Sequence, residues 1–308
     1  MTIAIALKVG DGVVLGTDSA TTFVAPDGSV SNVFFNAEKM VNLVKGWPIG
    51  IVTYGLGNLS GRSISSLAKD LRRRLSGEDS LHRDWALNEA SYTIVDVANR
   101  VRDFFYTEHY EVAFKGLIGQ PFPSEEERRK NPRPYAPGLG FLVAGFGAEA
   151  PHAEVYAVEI AEGGLCSAPQ IVCPQVESRV MWRGMGDALH RLILGFSAGR
   201  AAKLMAEANI SREDANAALM DQAPLLNPAM PIQDAIDLVR YMADVTVGYV
   251  RFAPGAASVA PPIDVAAITK HEGFRWVSRK HYYSTALNLP PSVVDIVGSR
   301  SVVSTGEG

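Results

Sequence analysis

Thr2 stands immediately behind Met1, at the head of the run Thr2-Ile3-Ala4-Ile5-Ala6-Leu7. A small second residue permits removal of the initiator, and the mature chain then begins with a free threonine. That residue carries a hydroxyl and an α-amine together. The amine has a reference pKa near ~8, against ~10.4 for a lysine side chain. Its neutral fraction at neutral pH can therefore accept the proton of the adjacent hydroxyl. Nucleophile and general base would come from one residue.

Threonine at position 2 is common without catalytic consequence, and what sets this one apart is its continuation. Residues 2–9 and 12–17 are apolar or β-branched runs joined by Gly10-Asp11-Gly12, and an Asp-Gly step between such runs predicts a hairpin. A chain that starts inside a strand has its terminus tied down, whereas most termini fray. Four further positions follow in short order. Asp18 leads the segment Asp18-Ser19-Ala20-Thr21-Thr22, Lys39 opens an apolar run, and Gly55 and Gly57 break the sheet after Thr53-Tyr54. Singly, each has a plain structural explanation: Asp18 an Asx-type turn, Lys39 a solvated edge charge, the glycines a turn.

Composition narrows the function classes. With 308 residues and 47% hydrophobic content, the chain can bury one large core or two modest ones. A formal charge of -4 disfavours nucleic acid as a partner. Arg72-Arg73-Arg74 closes a helical stretch, where cations complement the C-terminal dipole, and reads as a solvated face. No apolar run approaches the roughly 20 residues of a membrane span, and no basic-then-apolar leader is visible, which predicts a cytoplasmic protein. Cys166 and Cys173 lack metal-ligand spacing and are expected to be reduced. The six histidines are scattered, so no metal site and no cofactor is expected.

Further along, residues 39–44 and 48–53 read as strands around a Lys45-Gly46-Trp47 turn. The segment Gly55–Asn58 is expected to open a helix with apolar positions Leu59, Ile64, Leu67, Leu71 and Leu75. A second helix is expected through Leu87, Ala90, Ile94, Val97, Val101 and Phe104. Residues 116–137, rich in proline and charge, read as an exposed insertion. Strands are expected at 138–146, 153–159 and 263–268, and helices at 186–196, 198–208, 212–220 and 231–249. Strands first, then helices, strands, helices and a strand predict an α+β fold with two antiparallel sheets stacked between two helical layers. One elaborated domain over 2–270 is expected, with 271–308 as a C-terminal extension.

The Thr2 hairpin, the Gly16-Thr17-Asp18-Ser19-Ala20-Thr21-Thr22 segment, Lys39 at a strand start and the Thr53-Tyr54-Gly55 turn resemble the proteasome β-type subunits of the N-terminal nucleophile hydrolases. The likeness is specific over roughly residues 2–75 and looser over 138–270, through Phe141-Leu142-Val143-Ala144-Gly145-Phe146 and Pro262-Ile263-Asp264-Val265-Ala266. The resemblance implies a four-layer αββα sandwich and a threonine peptidase acting on peptide or protein in a self-assembled ring, with an ATPase as a further possible partner. It implies Thr2 as nucleophile and base, with Asp18 and Lys39 as the flanking carboxylate and ammonium. The Gly55 N–H becomes the oxyanion donor. Thr22 pairs an extended substrate as an added strand, in a binding cleft that includes Ser19, Thr21, Thr53 and Gly57.

The chain departs from the family pattern in two places. Gly184-Met185-Gly186 lacks the serine that catalytic members place between two glycines. Val250-Arg251-Phe252-Ala253-Pro254 stands where the family has an aspartate and then a serine, with Asp244 and Ser258 nearby but out of register. Asp237, Arg240 and Asp244 read instead as a surface ion cluster on a helix. A catalytically silent assembly or scaffold subunit, or a small-substrate amidase using the same nucleophile, are the alternative functions.

Overall fold

The computed structural model describes residues 2–25, 27–208, 211, 214 and 223–280. It is a mixed α/β molecule with antiparallel sheets. The chain opens with the predicted hairpin, β1 (Ile3–Val9) and β2 (Gly12–Thr17), and a small separate hairpin follows, β3 (Thr21–Val24) and β4 (Val30–Phe34). Then come β5 (Met40–Asn42) and β6 (Ile49–Gly55), the short ladder β7 (Asn58–Leu59) and β8 (Arg62–Ser63), and helix α1 (Ile64–Leu75). Helix α2 (Ile94–Arg102) runs on as a π-helix over Asp103–Tyr110, and α3 (Glu125–Lys130) sits in the 116–137 segment. After β9 (Leu139–Gly145), β10 (Glu154–Ile160), β11 (Gln170–Cys173) and β12 (Arg179–Gly184) come α4 (Ala198–Ala208) and α5 (Ile232–Phe252). The hairpin β13 (Asp264–Thr269) and β14 (Gly273–Ser278) closes the described chain.

One five-stranded sheet has the order β12-β1-β2-β13-β14 and the other β11-β10-β9-β6-β5. Alternation along β1 divides its side chains by size. Ala4 and Ala6 face Met40, Val52, Leu142 and Ala144 of the other sheet, while Ile3, Ile5 and Leu7 pack with Ala235, Ile236, Val239 and Met242 of α5. Small residues inside let the sheets approach, and large ones outside seat the helix. The second sheet turns Val41, Ile51, Phe141 and Val143 toward Leu67 and Leu71 of α1 and Val97 and Val101 of α2. At about 1.5–3 kcal/mol for each fully buried large aliphatic or aromatic side chain, these faces dominate the stability of the site's frame.

Several boundaries differ from expectation for local reasons. The first helix begins at Ile64 and not at Gly55, because Ser63 caps it, its hydroxyl accepting the Ser66 N–H at 3.1 Å. The β7–β8 ladder occupies the intervening turn. The second helix begins at Ile94 and not at Leu87, where Thr93 and Asp96 form a capping box. In the 186–196 stretch a helical turn passes into a π-helix that ends at Gly195 in the left-handed conformation. The helix expected at 212–220 lies outside the described residues but for position 214. Strand β14 lies beyond residue 270, inside the stretch assigned to an extension, and pairs along β13 from Val265 to Thr269.

Arg72 and Arg74 are not a solvated face. Arg72 Nε donates to the Asn42 carbonyl at 2.7 Å, and Arg74 binds Glu108 at 2.8 Å while lying over the rings of Trp85 and Phe104. Both thiols are free. No helix among the described residues is long and apolar enough to cross a membrane.

Candidate active site

The β1–β2 ladder sets Ala4 opposite Thr17, which brings Thr2 and Asp18 to the same end of the hairpin. Asp18 is fully buried and accepts four hydrogen bonds. Its Oδ1 receives the Ile3 N–H at 3.1 Å and the Lys39 ammonium at 2.7 Å. Its Oδ2 receives the N–H groups of Ala20 at 2.8 Å and Ala260 at 3.3 Å. An ion pair with side chains 7% and 0% exposed is tolerated where further hydrogen bonds satisfy the remaining lone pairs, and here three backbone donors do so. The Ile3 contact ties the carboxylate to the residue directly after Thr2.

Lys39 enters from the opposite sheet, just ahead of β5, and its carbonyl accepts the Thr53 N–H at 2.8 Å. Burial pushes its ammonium below the ordinary lysine range, against the pull of Asp18, which favours the charged form.

Thr2 is 4% exposed, and its carbonyl accepts the Met185 N–H at 2.7 Å. Thus Met185, which lacks the supporting hydroxyl, still holds the threonine through its backbone. Gly184 makes that approach possible. It sits at φ +84°, and a Cβ there would lie 1.9 Å from the Thr2 carbonyl oxygen.

Thr2, Lys39 and Gly55 line one cavity of about 640 Å³. Gly55 ends β6 at φ +87°, where a Cβ would meet the Gly138 carbonyl at 2.5 Å. The Thr53 N–H points toward Lys39 and the Leu56 N–H toward Gly138, so strand alternation turns the Gly55 N–H to the Lys39 side. Thr21, Thr22, Thr53 and Gly57 also line the cavity. Ser19 is not among the residues that line it. Its side chain is off the cavity wall, because its hydroxyl donates to the Pro262 carbonyl and accepts from Lys280 at 2.7 Å.

Asp244 faces solvent on α5, and Arg240 lies 4.0 Å from Asp237 at helical spacing. Ser258 is 1% exposed, two residues before the Ala260 N–H that binds Asp18, and its hydroxyl has no partner among the described residues. Those residues hold no cluster of metal-binding side chains.

Four features of the site escaped sequence reasoning. Glu38, beside Lys39, accepts from Ser65 at 2.8 Å and from Lys69 and Arg279 at 2.6 Å. Burial alone would raise its carboxyl, but those donors outweigh it and hold the pKa at about 2. Tyr54 lines the cavity and donates to Glu159 at 2.7 Å, its phenol pushed up by burial. Phe23, Phe34 and Phe35 form an apolar, partly exposed rim. Asp264 and Lys280 make a second buried ion pair behind Ser19. No local pattern marks the rim, and the others depend on contacts distant in sequence.

No family model and no curated protein matches the sequence. Among solved structures, the chain is similar to the Anbu (Gly-1) mutant from Hyphomicrobium sp. strain MC1, with 15% identity and a TM-score of 0.46 over 100% of this chain and 99% of that one.

Proposed function

We propose that this chain is an amide-bond hydrolase of the N-terminal threonine type, acting on peptide or protein substrates. The observation that carries the reading is the buried Asp18–Lys39 pair, fastened to the backbone of Ile3 behind a cavity that Thr2, Lys39 and Gly55 share. After Met1 is removed, the Thr2 amine accepts the hydroxyl proton and Oγ attacks the scissile carbonyl. Charge on the carbonyl oxygen is met by the Gly55 N–H. The protonated amine returns its proton to the leaving amine, the acyl group remains on Oγ as an ester, and water releases it by the same general-base route. The Lys39 ammonium lowers the cost of the developing alkoxide and favours a neutral α-amine. Thr21 and Thr22 border the cavity on an extended strand, where a substrate backbone can lie as an added strand.

The finer architectural reading belongs to the same proposal: a four-layer αββα arrangement, a homo-oligomeric ring that shields the site, cytoplasmic placement, and an ATPase as one possible deliverer of substrate. A second reading, a scaffold subunit without activity, draws on Met185 standing where a supporting serine would be. Intact mass and a peptidyl vinyl sulfone separate the two. The hydrolase loses Met1 and gains one covalent label that Thr2→Ala abolishes; a chain that keeps Met1 and takes no label is the scaffold.

A further inference from the structure

Behind the Asp18–Lys39 pair lies a second acid–ammonium couple that the proposed mechanism does not use. Asp264 opens β13 opposite Thr17, and Lys280 follows β14. Their side chains are paired and only 1% and 6% exposed, and the Lys280 backbone N–H also binds Asp264 Oδ1 at 3.1 Å. The Lys280 ammonium donates at 2.7 Å to Ser19, the residue after Asp18. Its chain neighbour Arg279 reaches the other side, donating at 2.6 Å to Glu38, the residue before Lys39. Two consecutive side chains thus grip the sequence neighbours of both members of the first couple.

We infer that Asp264 and Lys280 are positioning residues for the Asp18–Lys39 couple, fixing the Asp18 turn through Ser19 and acting on the Lys39 ammonium through their charges. The groups that face Lys39 are Asp18 from the end of β2, Asp264 from β13 and Lys280 beyond β14. Glu38 precedes it in the chain, with Lys69 and Arg279 on the Glu38 carboxylate. The Thr2 amine joins them once Met1 is gone. A lysine that acted only through its aliphatic stem, its charge screened from Lys39, would leave the Lys39 midpoint unchanged on replacement by methionine. Lys280 instead disfavours a charged Lys39, and Asp264 favours it. The catalytic consequence rests on the Thr2 reading; the electrostatic coupling does not.

The test is a titration of ¹³Cε-labelled lysines by NMR on the full chain, with Lys39 assigned by its loss in Lys39→Met. Lys280→Met should move the Lys39 midpoint up and Asp264→Asn should move it down, by about half a pH unit or more each. Lys280→Arg should leave it near the wild-type value. Where Thr2 reacts with a peptide epoxyketone, the alkaline limb of the labelling rate should shift in the same two directions. Unchanged midpoints, or midpoints moving the same way in both variants, overturn the inference. If Asp264→Asn does not fold, Lys280→Met against Lys280→Arg decides it by sign alone. A wild type that resists labelling at every pH removes the hydrolase reading, while the Lys39 midpoints still judge the coupling.

Discussion

Lys39 and Asp18 depend on each other unequally. Remove Lys39, and the Asp18 carboxylate keeps three backbone N–H donors; neutralise Asp18 as asparagine, and the buried ammonium loses its counter-charge while an amide NH2 is turned toward groups that can only donate. Asp18→Asn should therefore cost about 3–5 kcal/mol in urea denaturation, and Lys39→Met clearly less, while both abolish labelling of Thr2. Equal costs would mean that the backbone donors do not support the carboxylate. Glu38 gives a pH signature. Its carboxyl is held at about 2 in the fold, below the ordinary value, so its contribution is fully present above the unfolded pKa of about 4.3 and fades as pH falls toward about 2. Glu38→Gln should flatten the fall of Tm over that window, and a slope equal to wild type would show that another carboxylate sets it. Hairpin and strand punctuation marks the surroundings of Thr2, Asp18, Lys39 and Gly55, but only the family resemblance singled them out as a set. Lys280 could not be read in sequence, since its contact with Ser19 spans 261 positions. The partners of Ser19, Pro262 and Lys280, are likewise far along the chain.

At the scale of elements, the site depends on β12 lying directly against β1. Ile3 pairs with Gly184, and the close approach there leaves no room for a side chain. Gly184→Ala must shift either strand and also takes a left-handed conformation costing about 1–2 kcal/mol for a residue with a Cβ. Probe labelling of Thr2 in this variant should fall at least about tenfold, while a wild-type rate would mean that β12 does not seat the threonine. The β1–β2 hairpin and α5 were legible because one has an Asp-Gly turn and the other a sustained apolar stripe. Strands β12 and β14 were not, because Arg179 and Arg183 in one, and Arg275 in the other, interrupt short runs that a sheet edge accommodates. The π-helix after α2 has no periodic signature at all, since its geometry follows from the packing of Phe104, Phe105 and Tyr110.

At the scale of the molecule, an open cavity with a nucleophile needs a restraint on what enters, and the proposed ring supplies one. Partly exposed Phe23, Phe34 and Phe35 at the cavity rim are apolar surface available to a neighbouring subunit or a substrate. Sedimentation velocity at micromolar concentration should place the chain in a species larger than a dimer, and a monomer throughout would remove the ring from the account. A mixed fold of antiparallel sheets and helices was legible from element order. The extent of the sheet past residue 270 was not, because an alternating Phe-Arg-Trp-Val strand looks the same as a polar aromatic tail until its partner β13 is known. The most direct test of the whole is tandem mass spectrometry of the chain after reaction with a peptide epoxyketone, which needs both a hydroxyl and a neighbouring free amine to form its ring adduct. The predicted result is an adduct joined to both the amine and Oγ of Thr2 at the mature amino terminus, absent in Thr2→Ala and in Lys39→Met. Retained Met1, or an unmodified Thr2 beside excess reagent, would contradict it.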